Sequence, residues 1–199
     1  NSVIDVNSEG LIGFHFQNYD QGALGQEESH LVHTRTSSFA LFALESFNFD
    51  LFDLDVGGRV ESVNLKNTSM EKGFFPGAFS STIKKEIFTN NTVFGGFDFT
   101  ERAPNAVELF ANGPHHALEQ FEVGDSNIDV ETSYNFSIGY SYNDGLDILK
   151  IETYYNYIDD FIAADRDGTT TEVEGEDMNN VNFSQYNALF TGLEVTGQY

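Results

Sequence analysis

Apolar and polar residues alternate with period two along most of the chain. Residues 133–143 put Tyr134, Phe136, Ile138, Tyr140 and Tyr142 on one face, and Ser133, Asn135, Ser137, Gly139, Ser141 and Asn143 on the other. Successive side chains of a strand point to opposite sides, so this predicts a strand with one apolar and one wet face. In 53–61, Leu54, Val56, Gly58 and Val60 oppose Asp53, Asp55, Gly57, Arg59 and Glu61. In 147–157, Leu149, Ile151, Thr153, Tyr155 and Tyr157 oppose Ile148, Lys150, Glu152, Tyr154 and Asn156. Segments 93–100 and 189–199 repeat the pattern, and less regular strands fit 11–18, 37–47 and 77–88. The alternation thus predicts about eight strands.

The connections alternate between short and long. Residues 48–50, 89–91 and 143–145 are tight turns, Asn143-Asp144-Gly145 being a good hairpin signal. The stretches 19–35, 64–75, 102–131 and 159–183 read as long irregular loops. Short turns at one end and long loops at the other are the pattern of outer-membrane barrels, with periplasmic turns and extracellular loops. The strands are close to the about 9–11 residues that a tilted spanning strand needs. The expected fold is all-β: an antiparallel up-and-down transmembrane β-barrel. A soluble β-sandwich or lipocalin-like barrel also alternates in this way, its apolar face forming the core, and the residues alone leave it open.

Composition narrows the choice. The 199 residues include 20 Phe, 9 Tyr and 18 Gly, too aromatic for a disordered acidic chain. Lys and Arg number 9 against 32 Asp and Glu, and a net charge of −23 would repel a phosphate backbone, which excludes nucleic acid as a partner. With no Cys there is no disulfide framework, thiolate metal site or Cys nucleophile. No apolar run is long enough for a transmembrane helix, and residues 1–5 show neither the basic nor the apolar region of a signal peptide.

Candidate chemistry lies in the long connections. In 102–131, Pro104 is expected in the first turn of a short helix through Val107, Glu108, Leu109 and Phe110, closed by Gly113. His115 and His116 follow, with Glu119 and Glu122 beyond them. Imidazole with carboxylate suits zinc, and the same residues equally suit a solvated acidic loop. His30 and His33 would share a face if their loop made a helical turn, which makes them a secondary metal pair. His15, between Phe14 and Phe16, is expected on the polar face. Asp165-Arg166-Asp167-Gly168 is similar to the start of a calcium loop, but Gly comes too early for the EF-hand pattern. The 159–183 segment is read as a solvated acidic surface that gathers cations by its field. No Ser/His/Asp set, phosphate-cradling Gly loop or His-Glu-x-x-His helix is present, so no enzyme is expected.

Residues 101–131 carry a family resemblance. Arg102-Ala103-Pro104, then Glu108-Leu109-Phe110, then Gly124-Asp125-Ser126-Asn127-Ile128 and Glu131, resemble the barrel of TonB-dependent outer-membrane receptors. The run Ala111-Asn112-Gly113-Pro114-His115-His116-Ala117 resembles the zinc-uptake subgroup. Further matches are Tyr157-Ile158-Asp159-Asp160-Phe161-Ile162, Asn187-Ala188-Leu189-Phe190-Thr191-Gly192-Leu193-Glu194, Ile12-Gly13-Phe14, Ala23-Leu24-Gly25 and Val56-Gly57-Gly58-Arg59-Val60-Glu61. Asp129-Val130-Glu131 departs from the Lys-Pro-Glu frequent in the family, which alters only how the chain enters the next strand. The resemblance implies a partial barrel, because such transporters have about 22 strands. It makes residues 1–199 part of the barrel domain, without the plug domain. It implies TonB-dependent uptake across the outer membrane of a Gram-negative bacterium, with no cofactor and with zinc or a metal complex as cargo. Outer-membrane lipid, the receptor's own plug and the TonB energy complex would be its partners. Alternatives are a siderophore or haem receptor of the same fold, a small structural or adhesive outer-membrane barrel, and a soluble acidic ligand-binding β protein.

Overall fold

The computed structural model describes residues 7–22 and 31–199. Eleven strands form one sheet: β1 (Asn7–Gln21), β2 (Thr34–Asn48), β3 (Asp53–Lys66), β4 (Glu71–Phe74), β5 (Gly77–Phe88), β6 (Asn91–Arg102), β7 (Asn112–His115), β8 (Gln120–Val123), β9 (Glu131–Asn143), β10 (Ile148–Val173) and β11 (Glu176–Gln198). The long ones follow one another as an antiparallel meander in the order β1-β2-β3-β5-β6-β9-β10-β11. The expectation of an antiparallel up-and-down wall of eight long strands therefore holds. Among the described residues β1 pairs only with β2, and the two outer strands do not meet, so the sheet stays open.

Register shows why the alternation matters. Phe79, Phe99, Tyr134, Tyr157 and Leu189 stand side by side on five consecutive strands. The next row on the same face is Ser81, Phe97, Phe136, Tyr155 and Thr191, followed by Ile83, Gly95, Ile138, Thr153 and Leu193. Neighbouring rings touch, with Phe97 and Phe136 centroids 4.9 Å apart and Phe99 and Tyr134 5.5 Å apart. The opposite face is polar and internally paired. Lys84 reaches Asp55 at 2.7 Å, Asn135 donates to Asp98 at 3.1 Å, and Ser133 donates to Asn156 at 2.7 Å. His15 lies on this polar face, in the row of Ala40 and Glu61, as its flanking Phe residues imply.

Among the described residues nothing packs over the apolar face. Phe14 is 73% exposed, Ile138 64% and Leu193 68%. An apolar expanse this wide is far beyond what a water-facing surface carries, which removes the soluble sandwich: its apolar face would be the interior. The buried cluster lies instead on the polar side, at the end with the long connections. There Leu65 of β3 and Phe74 of β4 meet Leu31, Ala106, Leu109, Phe110, Ile128 and Ile162.

Two loop expectations are corrected. Residues 159–183 are not an irregular loop: β10 and β11 run on through them as a paired hairpin, turning at Glu174 and Gly175 with φ of 54° and 88°. Two register shifts, between Ile158 and Phe161 and between Arg166 and Thr170, put Asp160 and Gly168 at positive φ. Each bulge inserts residues on one strand only, so the period of two is broken and the segment looks patternless in sequence. The acids are absorbed into this frame. Asp167 accepts the backbone N–H and hydroxyl of Thr169 and the amide of Asn182, and these bonds hold its carboxyl below the usual carboxylate range. Residues 64–75 likewise contain the end of β3 and β4 folded back on it.

Candidate functional site

The connection from β6 to β9 folds over the polar face and closes part of the long-loop end. Its helix α1 (Ala106–Phe110) is short, and its start is fixed by side chains. Asn105 accepts the N–H groups of Val107 and Glu108 at 2.8 and 3.0 Å, while Glu108 accepts the N–H of Asn105 at 2.7 Å. This reciprocal capping satisfies the donors that a helix start leaves open. Pro104 therefore precedes the cap and does not occupy the first turn. The helix ends at Ala111, and Gly113 belongs to β7, so neither lies where the sequence placed it. Pro104 stiffens the approach, but a good capping pair three residues apart outranks it as the starting signal.

The helix end is met by a different glycine. Gly124 donates to the Ala111 carbonyl at 2.7 Å and Asp125 donates to that of Glu108 at 2.9 Å. A β-carbon on Gly124 would lie 2.8 Å from the backbone of Leu109, Phe110 and Ala111, so no larger residue fits without moving main chain. Asp125 then turns the chain by accepting the backbone and side-chain N–H of Asn127 at 2.8 and 2.9 Å.

Arg102 ties this loop to the wall. Its guanidinium donates to Glu108 at 3.0 and 3.2 Å and to Glu131 at 3.2 and 3.4 Å. Glu131 also accepts the N–H of Ile162 at 2.9 Å, so one cation joins β6, α1, β9 and β10. The two carboxylates are largely buried, at 11% and 13% side-chain exposure, against 41% for Arg102. The residues that carry the family resemblance are thus the latch and hinge of a folded loop. The sequence named them without revealing these contacts, although Asn105-x-x-Glu108 is a legible capping signal.

The suspected metal ligands are divided by the β7–β8 hairpin. His115 pairs with Gln120 and Gly113 with Glu122, which sets His115 and Glu122 on one face as diagonal neighbours. Glu122 is 7% exposed, and its Oε2 makes no hydrogen bond. His116 and Glu119 occupy the exposed tip, Glu119 in the left-handed conformation with φ of 52°. His33 is exposed and close to Asp20, at the end of β1. His30 lies outside the described residues. Leu31, just before β2, bridges Ala111 and joins the same cluster of buried residues. Among the described residues, no three His, Asp or Glu side chains come together as a metal cage.

Beneath α1 a cavity of about 250 Å³ opens on the polar face, lined by Gln17, Tyr19, Thr36, Ser38, Glu61 and Arg102 among others. The hydroxyl of Thr36, a residue 5% exposed, makes no hydrogen bond. Periodicity gave no hint of this recess, because it forms only where a loop remote in sequence covers the strands.

An open antiparallel wall with one bare apolar face, one polar face and loops folded inward at one end is a segment of a transmembrane β-barrel. The chain belongs to the TonB-dependent receptor-like β-barrel family, whose model matches residues 2–199. Family members are outer-membrane transporters, so the polar face is the lumen wall, the short turns are periplasmic and the folded loops extracellular. Among solved structures the chain is similar to the copper transporter OprC, with a TM-score of 0.70, 16% identity, and coverage of 94% of this chain and 31% of that one. It is also similar to a double mutant of the Serratia marcescens hemophore receptor HasR in complex with its hemophore HasA and heme. There the TM-score is 0.68, with 14% identity over 96% of this chain and 38% of that one. The siderophore receptor PirA from Pseudomonas aeruginosa gives 0.52, with 16% identity and coverage of 92% and 43%. The chain therefore spans roughly a third of the length of the first two receptors, 31% and 38%.

Proposed function

We propose that the chain is part of an outer-membrane receptor that takes up a scarce nutrient by TonB-dependent transport, with zinc or a metal complex as cargo. The observation that carries the metal reading is that His115 and Glu122 lie on one face of the β7–β8 hairpin as diagonal neighbours, with Glu122 nearly buried and one of its carboxylate oxygens unbonded. A buried carboxylate oxygen left without a donor is costly, and a cation would offset that cost. Imidazole nitrogen with carboxylate oxygen is a donor pair that zinc accepts. His116 and Glu119 at the tip of the same hairpin, and His33 before β2, are the further donors this reading would draw on. The full receptor would hold its own plug domain in the lumen and engage the TonB complex through it. It would carry no resident cofactor, the metal being cargo.

The test is calorimetric titration of zinc into the full-length receptor in detergent, beside His115→Ala and Glu122→Gln variants. Saturable binding that both substitutions weaken at least tenfold is expected, about 1.4 kcal/mol at 25 °C. Absence of binding, or equal binding by the variants, would remove zinc as the cargo and leave the receptor assignment standing. Siderophores and haem are then the probes to apply.

A further inference from the structure

The outward face carries a groove of about 750 Å³, lined by Ile83, Lys85, Gly95, Ile138, Thr153 and Leu193 among others. Register explains the depression. In the row Ile83, Gly95, Ile138, Thr153, Leu193 the wall residues are bulky, while Gly95 contributes no side chain and Thr153 a short one. The rows above bring Phe97, Phe99, Phe136 and Tyr155 to the surface and so bound the groove on the extracellular side.

One charged residue stands at its other end. Lys85 lies on the same face as Ile83, in the row with Val93, Tyr140 and Ile151, a few residues before the short turn at Thr89 and Asn90. It makes no hydrogen bond or ion pair among the described residues, and it is exposed. Arg35 and Lys66, the outward-facing cations of β2 and β3, sit at the extracellular end and are paired with Asp20 and Glu71. In a chain of net charge −23, an unpaired lysine facing lipid near the periplasmic boundary therefore stands out. Lysine reaches along apolar surface to put its ammonium among headgroups, and Tyr140 and Tyr142 beside it are residues that favour that depth.

We infer that this groove is a retained-lipid site for an anionic phospholipid of the periplasmic leaflet, its acyl chain lying over Gly95 and its phosphate on Lys85. The apolar floor selects a hydrocarbon chain, and the single cation at the periplasmic end selects a phosphate on that side. The site is separate from the lumen and from the extracellular loops, so it stands apart from the reading of His115 and Glu122.

The experiment is native mass spectrometry of the full-length receptor in mild detergent with added phosphatidylglycerol, and with lipid A as a second probe. Wild type should hold one phosphatidylglycerol at a concentration where Lys85→Gln binds about fivefold more weakly, the loss of one near-surface cationic contact. Gly95→Leu should abolish the adduct by filling the floor. It should fold, because a β-carbon at Gly95 meets only ordinary contacts, 3.6 Å from the Ser137 carbonyl and 3.9 Å from Ile83. Lys66→Gln, outside the groove, should bind as wild type does. Equal binding by all four proteins, no adduct in any, or preference for lipid A would each overturn the site.

Discussion

Asp144 shows how much a single side chain can settle. In the turn between β9 and β10 it accepts the N–H groups of Leu146 and Asp147 at 3.0 and 2.8 Å and the hydroxyl of Tyr142 at 2.9 Å. The backbone bonds from Asp147 and Leu146, then the tyrosine, hold its carboxyl below its ordinary 3.8. Because the folded value is depressed, the stability these bonds give is fully present above the ordinary value. It is lost as pH falls through the lower, folded one. Carbon-13 detected titration of the Asp144 carboxyl in the refolded receptor should give a midpoint under 3.8, and one at or above it would contradict the turn. Gly124 makes the opposite kind of statement, since it is defined by what cannot be added. Gly124→Ala should destabilise the β6–β9 loop by about 1–3 kcal/mol through overpacking, read as faster amide exchange at Asp125. Tyr, Phe and Asp positions of this kind are visible in sequence as residue types. Their partners are not, because Gly124 and Ala111 meet only after the chain has doubled back.

At the scale of elements, what was legible followed one rule. The strands of the lipid-crossing wall have side chains that must alternate strictly, so 53–61, 93–100, 133–143 and 147–157 announce themselves. The β10–β11 extension breaks that rule twice with bulges and for that reason looks like a loop in sequence. The loop 102–131 was legible only as a list of residues, since its fold depends on Arg102 spanning 29 residues to Glu131. Removing the guanidinium leaves two largely buried carboxylates facing each other. Arg102→Gln should cost about 1–3 kcal/mol, below the figure for a fully buried pair because Arg102 is partly solvated. Arg102→Lys should restore little, as one ammonium cannot fork to both partners. Hydrogen exchange should show the loss at Gly124 and Asp125, with β5 and β6 unchanged. Protection at Gly124 and Asp125 equal to wild type would show that the latch does not hold the loop. The candidate metal residues were not separable from the sequence: grouping His115 with Glu122 and leaving His116 and Glu119 at the tip needs the β7–β8 register. Nothing in the pattern announced the hairpin itself, whose strands are four residues each.

For the whole molecule, the open sheet sets the behaviour of this segment by itself. Neither β1 nor β11 has a full-length partner on its outer side among the described residues, and lipid does not tolerate rows of unbonded N–H and C=O groups. The isolated 22.2 kDa chain should therefore associate edge to edge in detergent. Sedimentation that finds a monodisperse monomer would show that the wall closes on itself. The Arg102 latch has a consequence of another kind. The residues by which this family is recognised, Arg102, Glu108, Gly124 and Glu131, hold a loop in shape through bonds to one another and to the wall. Selection can keep them fixed while the diet of the transporter changes, so shared signatures report common engineering and leave nutrition to be found by experiment.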